Sequence, residues 1–239
     1  MKSLGVKLPR ANKRLISLYN STINLTDNQD IVTDVGADHG YLAVMLKKSG
    51  LFKKVIATDI SAPSLQKTTD LAKQLNLDIE TRVGDGLLVA PETTLACICG
   101  MGGYEIIKIL QQPIACKKFV LQPVQNIVEL REYLLTNKYK ITEDYLLQDK
   151  GKYYYIIAVN GSGKNKYNFA EKYFGKNYLQ NKDICSYIQT QINKLKFLEN
   201  FDIKSVDKTQ IRQIKQKIKF YKLCKKIINK GNILWHRKF

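Results

Sequence analysis

The stretch DVGADHGYLA, residues 34–43, decides how this chain folds. Ile31 and Val32 ahead of it suit a buried strand, and Asp34 stands near that strand's end, where the chain turns away. Gly36 and Gly40 then bracket Ala37, Asp38 and His39 before a run with helical spacing begins. Glycine lets the backbone adopt positive φ and approach a ligand closely, so a glycine loop between strand and helix can admit a nucleotide-like molecule.

The same unit repeats on the C-terminal side. From Asp30 to about Asn160, short apolar runs alternate with longer amphipathic ones, the pattern of a sheet built from βαβ units. DIVTDVG, KVIATDI, DIETRVGDG, LACICGMGG and KKFVLQP read as five successive strands, and helical spacing predicts helices over 41–51, 62–76, 103–112 and 126–137. The run YKITEDYLLQDKGKYYYIIAVNG then reads as two strands meeting at an Asp/Gly turn, an antiparallel hairpin. The expected class is α/β, a Rossmann-like class I methyltransferase sheet of seven mostly parallel strands closed by that hairpin. Ligands of such open sheets lie beyond the carboxyl ends of the strands, near the switch point.

GSGKNK at 161–166 has linker composition, which predicts a first domain over 1–160 and a second over 161–239. In the second, Ile184, Ile188, Ile192, Leu195 and Leu198 step by three and four, and Ile211, Ile214, Ile218, Tyr221, Lys225 and Ile228 follow nearly the same rhythm. Two amphipathic helices separated by NFDIKSVDK would pair as a coiled-coil-like helical hairpin, burying both stripes and turning lysines outward.

A chain of 239 residues, 44% of them hydrophobic, can bury a substantial core. No uncharged apolar run reaches the roughly 18 residues of a membrane span, and MKSLGVKLPRANKRL lacks the apolar centre of a secretory signal, so the cytoplasm is the expected location. The spacings of Cys97, Cys99, Cys116, Cys185 and Cys224 match no paired zinc pattern; reduced thiols and no metal are expected. The net charge is +18, and it is concentrated. Residues 1–160 hold 20 basic and 16 acidic side chains, whereas 161–239 hold 19 and 5. Clustered cations imply an anionic partner, nucleic acid or an anionic membrane, against the competing reading of a solvated lysine face.

Three acids follow three consecutive strands: Asp34 after the first, Asp59 after the second, Asp85 after the third. An acid after strand two can accept both ribose hydroxyls, and one after strand three can take the amino group of adenine. The Gly36–Gly40 loop admits a methionine moiety, whose ammonium Asp34 or Asp38 can meet, so the set fits S-adenosylmethionine. A dinucleotide fits less well, because GADHG lacks the G-x-G-x-x-G spacing and places Asp38 where a pyrophosphate would be repelled.

Taken together, DVGADHGYLA, RVGDGL, CGMGG and LQP resemble the bacterial tRNA adenine N1-methyltransferase family that modifies position 22, over almost the whole chain. The family usually has Ser, Ala and Pro at the positions of Ala37, Gly40 and Ala43 and often Glu at that of Asp59, all small or like-charged exchanges. The resemblance implies S-adenosylmethionine as cofactor and tRNA as partner; no membrane and no obligatory protein partner is inferred, and a monomer is expected. The resemblance brings the cofactor set to Arg14, which would meet the cofactor carboxylate, with Asp34, Gly36, Asp38, His39, Gly40, Asp59, Ile60, Asp85, Gly86 and Gly100.

Neutral adenine already offers a lone pair at N1, so no general base is required and positioning is the main demand. Gly100, Met101 and Gly102 are therefore the expected positioning residues for the base, with Asp38 stabilising the cationic product. Tyr104 could pack on the base face, and Gln122 with Pro123 could shape the loop or read the base edge. His39 is read as orienting backbone or stacking, not moving protons. Lys215, Lys219 and Lys222 are expected to meet tRNA, and His236, beside Trp235 and Arg237, either stacks on RNA or ends the chain loosely. The competing functions are an RNA-binding module with a vestigial or regulatory S-adenosylmethionine pocket, and a methyltransferase acting on ribosomal RNA or protein.

Overall fold

The computed structural model describes residues 12–201 and 208–236, and it divides into two compact units, Met1–Asn168 and Phe169–Phe239. The first holds a seven-stranded sheet. Its strands are β1 (Ile31–Val35), β2 (Lys54–Asp59), β3 (Glu80–Val83), β4 (Leu95–Gly102), β5 (Lys118–Gln125), β6 (Tyr139–Asp149) and β7 (Lys152–Ser162), in spatial order β3-β2-β1-β4-β5-β7-β6. The first five pair in parallel; β7 pairs antiparallel with β5 and with β6. The sheet expected from the sequence is the sheet observed. The chain reverses direction across the sheet between β1 and β4, and there the ends of neighbouring strands open a crevice.

Parallel strands must be covered on both faces, and β1, β4 and β5 are accordingly buried without alternation over Val32–Val35, Leu95–Ile98 and Phe119–Pro123. Val32, Cys97 and Val120 point into one core with Leu18 of α1 (Lys13–Leu25), Leu42 and Leu46 of α2 (Tyr41–Ser49) and Leu65 of α3 (Ala62–Gln74). Val35, Ile98, Phe119 and Leu121 point into the other with Ile106 of α4 (Gly103–Leu110) and Leu130 of α5 (Ile127–Thr136). Helix α1 has no counterpart in the sequence reading. The Asn12 side chain caps it by accepting from Leu15 N at 2.8 Å, and Leu18 and Leu25 bury its inner stripe.

The segment with linker composition is tied to the first unit. Gly161 N donates to Lys117 O at 2.8 Å, Asn165 Oδ1 accepts from Ile141 N, and the Tyr167 hydroxyl donates to Asp144 at 3.0 Å. Strand β7 therefore runs to Ser162, and the units divide at Asn168 rather than at residue 160.

The second unit contains α6 (Phe169–Phe174), a 3-10 turn at Tyr178–Gln180, α7 (Ile184–Phe201) and α8 (Lys208–His236). Cys185–Asn229, Gln189–Lys225 and Glu199–Lys215 contacts fix α7 and α8 antiparallel. Ile184, Ile188 and Ile192 are buried with Ile218, Cys224 and Ile228, and Phe174 stacks on Phe220 at 6.1 Å. Most of NFDIKSVDK, residues 1–11 and Arg237 lie outside the described residues. Among the described residues no helix is long and apolar enough to cross a membrane, and no group of three or more His, Cys, Asp or Glu could hold a metal ion.

Candidate active site

The carboxyl ends of β1, β2 and β3 are bound together through the end of β2. Thr58 O accepts from both Gly36 N (2.8 Å) and Ala37 N (3.1 Å), which folds the loop after β1 over the neighbouring strand. Asp59 O accepts from Gly84 N at 3.0 Å, drawing in the end of β3. The Asp59 carboxylate accepts from Ser61 N at 2.8 Å and from Asp38 N at 3.4 Å. A backbone that must satisfy its own N–H groups thus gathers the segments bearing all three acids.

Asp34 is 5% exposed, and burial pushes its carboxyl from the ordinary 3.8 up to about 7. Asp59 raises it further, while a hydrogen bond from the Ala43 backbone and the charge of Arg14 pull it down. Gly36, at φ +71°, holds the turn above it. A Cβ on Gly36 would meet Met101 Cε at 2.5 Å, so Met101 lies against the glycine loop.

Arg14 reaches this edge from α1. Its Nε donates to Gln122 Oε1 at 2.7 Å, its Cζ lies 5.4 Å from the Tyr154 ring centroid, and its backbone N–H donates to Asp149 at 3.3 Å. The guanidinium comes within 3.6 Å of the point where a Cβ on Gly100 would sit. Arg14, Asp34 and Gly100 are therefore neighbours, joined from three separate segments.

Apolar side chains are exposed along the same edge. Ile60 (77%) follows β2, Val83 (54%) ends β3 with Leu88 just beyond, Tyr104 (54%) follows β4 and Val124 (57%) lies in β5 near its end. Among the described residues of the first unit, Ile16 on α1 is the one exposed large apolar side chain that lies elsewhere. Asp85 is exposed beside the strand-end side chains, and Gly86 is buried against Gln112.

Two sequence expectations change, that for Asp38 and that for Gln122 with Pro123. Asp38 is half-exposed and turns to Lys67 Nζ at 2.7 Å, with His39 Nε2 at 3.4 Å; the Lys67 hydrogen bond holds its carboxyl below the usual range. Its charge is thus already compensated, which weakens the reading of Asp38 as the stabiliser of a cationic product. His39 stacks on Tyr41 at 5.5 Å. Gln122 is fully buried, with Oε1 accepting from Arg14 and Nε2 donating to Pro123 O, and Pro123 is buried as well. Neither is placed to read a base edge; Gln122 holds Arg14 instead. Lys67, Asp149 and Tyr154 escaped sequence reasoning because each acts through a partner remote in the chain.

In the second unit Lys215, Lys219 and Lys222 are exposed on α8. Lys222 lines a groove of about 470 Å³ with Lys196, Lys225 and Lys226.

The comparisons with known proteins point the same way. A model of the tRNA (adenine(22)-N(1))-methyltransferase family matches residues 32–223. A Mycoplasma pneumoniae protein assigned provisionally as a tRNA methyltransferase is 36% identical over 153 residues, 62% of this chain and 71% of its own. The Bacillus subtilis tRNA (adenine(22)-N(1))-methyltransferase is 30% identical over 146 residues, 58% of this chain and 61% of its own. The Mycoplasma capricolum family member, solved in complex with S-adenosylhomocysteine, has the same fold at a TM-score of 0.76 and 21% identity, covering 90% of this chain and 98% of its own. With the match spanning both the strand-end acids and the helical unit, this chain belongs to the tRNA (adenine(22)-N(1))-methyltransferase family.

Proposed function

We propose that this chain carries out its family's reaction, methylation of N1 of adenine 22 in tRNA, with the residues at the carboxyl edge of β1–β5 as its catalytic site. The observation that carries the assignment is the gathering of Asp34, Asp59 and Asp85 around one glycine loop by the hydrogen bonds of Thr58 and Asp59. S-adenosylmethionine supplies a methyl group on a cationic sulfonium, open to attack by the N1 lone pair.

The residues present fit that cofactor. Asp34 is a buried carboxyl at about 7, which a neighbouring ammonium would hold ionised. Each Asp59 oxygen keeps a free lone-pair direction for a ribose hydroxyl, and exposed Ile60 beside it can cover an adenine face. Asp85 can accept from the adenine amino group. Arg14, held by Gln122, suits a carboxylate. His39, Gly40 and Gly86 shape the loops around these groups.

On the substrate side the chain's contribution is alignment. Adenine N1 lies on the pairing edge, so the base must leave its stack before N1 can approach along the methyl–sulfur axis. Gly100, Met101 and Gly102 border the space it enters, and Tyr104 offers a ring for its face. The cations of α8 meet tRNA phosphates, an interaction that weakens as salt rises. A monomer acting on cytoplasmic tRNA completes the reading, since one chain carries both donor residues and phosphate-binding cations; sedimentation at working concentration checks the monomer.

The test is incubation with bulk tRNA and tritiated S-adenosylmethionine, followed by nucleoside chromatography. Label in 1-methyladenosine is expected. Label only in another nucleoside, or in ribosomal RNA or protein alone, would remove the assignment.

A further inference from the structure

Gln125 stands at the mouth of this site. The pairing of β4 with β5 is regular through Cys99 opposite Gln122, then irregular on either side of Met101, so that Gly102 comes to lie opposite Gln125. Gln125 Nε2 is 3.0 Å from the point where a Cβ on Gly102 would sit. A Cβ on Gly103 would lie 2.2 Å from Asn126 O, so the two strand-end loops touch through backbone. Gln125 is exposed, and its side-chain amide makes no hydrogen bond among the described residues. Exposed Val124 adjoins it in sequence, and exposed Tyr104 adjoins the glycine pair.

Chemistry dictates which edge of the target can be read there. N1 must face the methyl donor, which leaves N6 and N7 as the recognition edge of an adenine. A primary amide matches that edge, its carbonyl accepting from N6–H and its NH2 donating to N7. Guanine presents two acceptors along the same edge, O6 and N7, and an amide carbonyl opposite O6 is repelled. Resting on the methyltransferase reading above, we infer that Gln125 reads the N6/N7 edge of the target adenine and is a specificity-determining residue, with Tyr104 and Val124 as the apolar surfaces around the base.

The test uses the full chain and synthetic tRNA carrying either adenine or 7-deazaadenine at position 22; 7-deazaadenine lacks the N7 acceptor. For the wild type, 7-deazaadenine should lower kcat/KM about tenfold. Gln125→Leu should lower kcat/KM on natural adenine by a similar factor, show no further loss on 7-deazaadenine, and keep wild-type affinity for S-adenosylhomocysteine in calorimetry. Gln125→Glu sets a carboxylate oxygen against the N7 lone pair, so it should lose at least as much as Gln125→Leu on adenine and recover part of that loss on 7-deazaadenine, where a C–H replaces the acceptor. A wild-type rate for Gln125→Leu, a full 7-deaza effect persisting in either variant, or lost S-adenosylhomocysteine affinity would overturn the inference alone. Absence of 1-methyladenosine with the wild type would overturn the methyltransferase reading, and this inference with it.

Discussion

Arg14 Nε donates to Gln122 Oε1 at 2.7 Å, tying the first helix to β5 across the open edge of the sheet. Gln122 is buried, so its carbonyl has no solvent alternative and the bond fixes the guanidinium plane. Gln122→Leu should weaken S-adenosylhomocysteine binding about tenfold, the worth of one hydrogen bond to a charged group. Arg14→Ala should weaken it at least as much, and the double variant should lose no more than Arg14→Ala alone. Calorimetry on the four proteins measures the coupling; independent, additive losses would separate Gln122 from Arg14.

Asp34 gives the site a pH dependence. Its folded-state value of about 7 lies above the ordinary 3.8, so the folded, ligand-free protein holds a proton that the unfolded chain has released. Stability should fall as pH rises from about 4 to 7, by roughly 4 kcal/mol at most. Asp34→Asn should flatten that slope in urea titrations. A bound ammonium favours the ionised carboxyl, so S-adenosylhomocysteine affinity should rise from pH 6 to pH 8 in the wild type and stay level in Asp34→Asn.

Gly36 combines a positive φ with a close neighbour, Met101 Cε, 2.5 Å from the Cβ it lacks. Gly36→Ala should abolish measurable S-adenosylhomocysteine binding. Adding Met101→Ala removes the contact but leaves a left-handed alanine, which costs about 1 kcal/mol or more. Binding should thus return only in part, and full recovery would show that backbone strain at Gly36 is immaterial.

Much of this fold is written in short range. Ile31–Asp34, Val55–Asp59 and Leu95–Cys99 each combine an apolar run with a polar or glycine exit, because strands covered on both faces need no alternation and ligands collect where strands end. The same burial hides the facing of a side chain. Phe119 through Pro123 are all buried, so nothing local distinguishes Gln122, which is inside, from Gln125, which is outside. The irregular pairing at Met101 then decides which of the two meets Gly102. Arg14 and Asp38 were legible as charges near a site, but not their partners, since Gln122 and Lys67 arrive from distant segments. GSGKNK has linker composition, yet the Asn165 side chain and the Gly161 and Gly163 backbone pin it to the strands.

Between α5 and β6, Arg131 and Asp144 form a pair with both side chains fully buried, joined by two hydrogen bonds of 2.9 Å, and the Arg131 guanidinium lies 4.4 Å from the Tyr155 ring centroid. Asp144→Ala should destabilise the protein by about 3–5 kcal/mol by leaving a buried cation uncompensated. Pairing Asp144→Leu with Arg131→Met should restore most of that loss, and urea denaturation reads both.

The central claim is that one edge of the sheet, with three acids and a glycine loop, receives the methyl donor. A crystal structure of the full chain with S-adenosylhomocysteine measures it most directly. The account predicts its amino acid end between Asp34 and Arg14, its ribose on Asp59 and its adenine against Ile60 and Asp85. Density for the ligand at any other face of the sheet, or among the lysines of the helical unit, would contradict it.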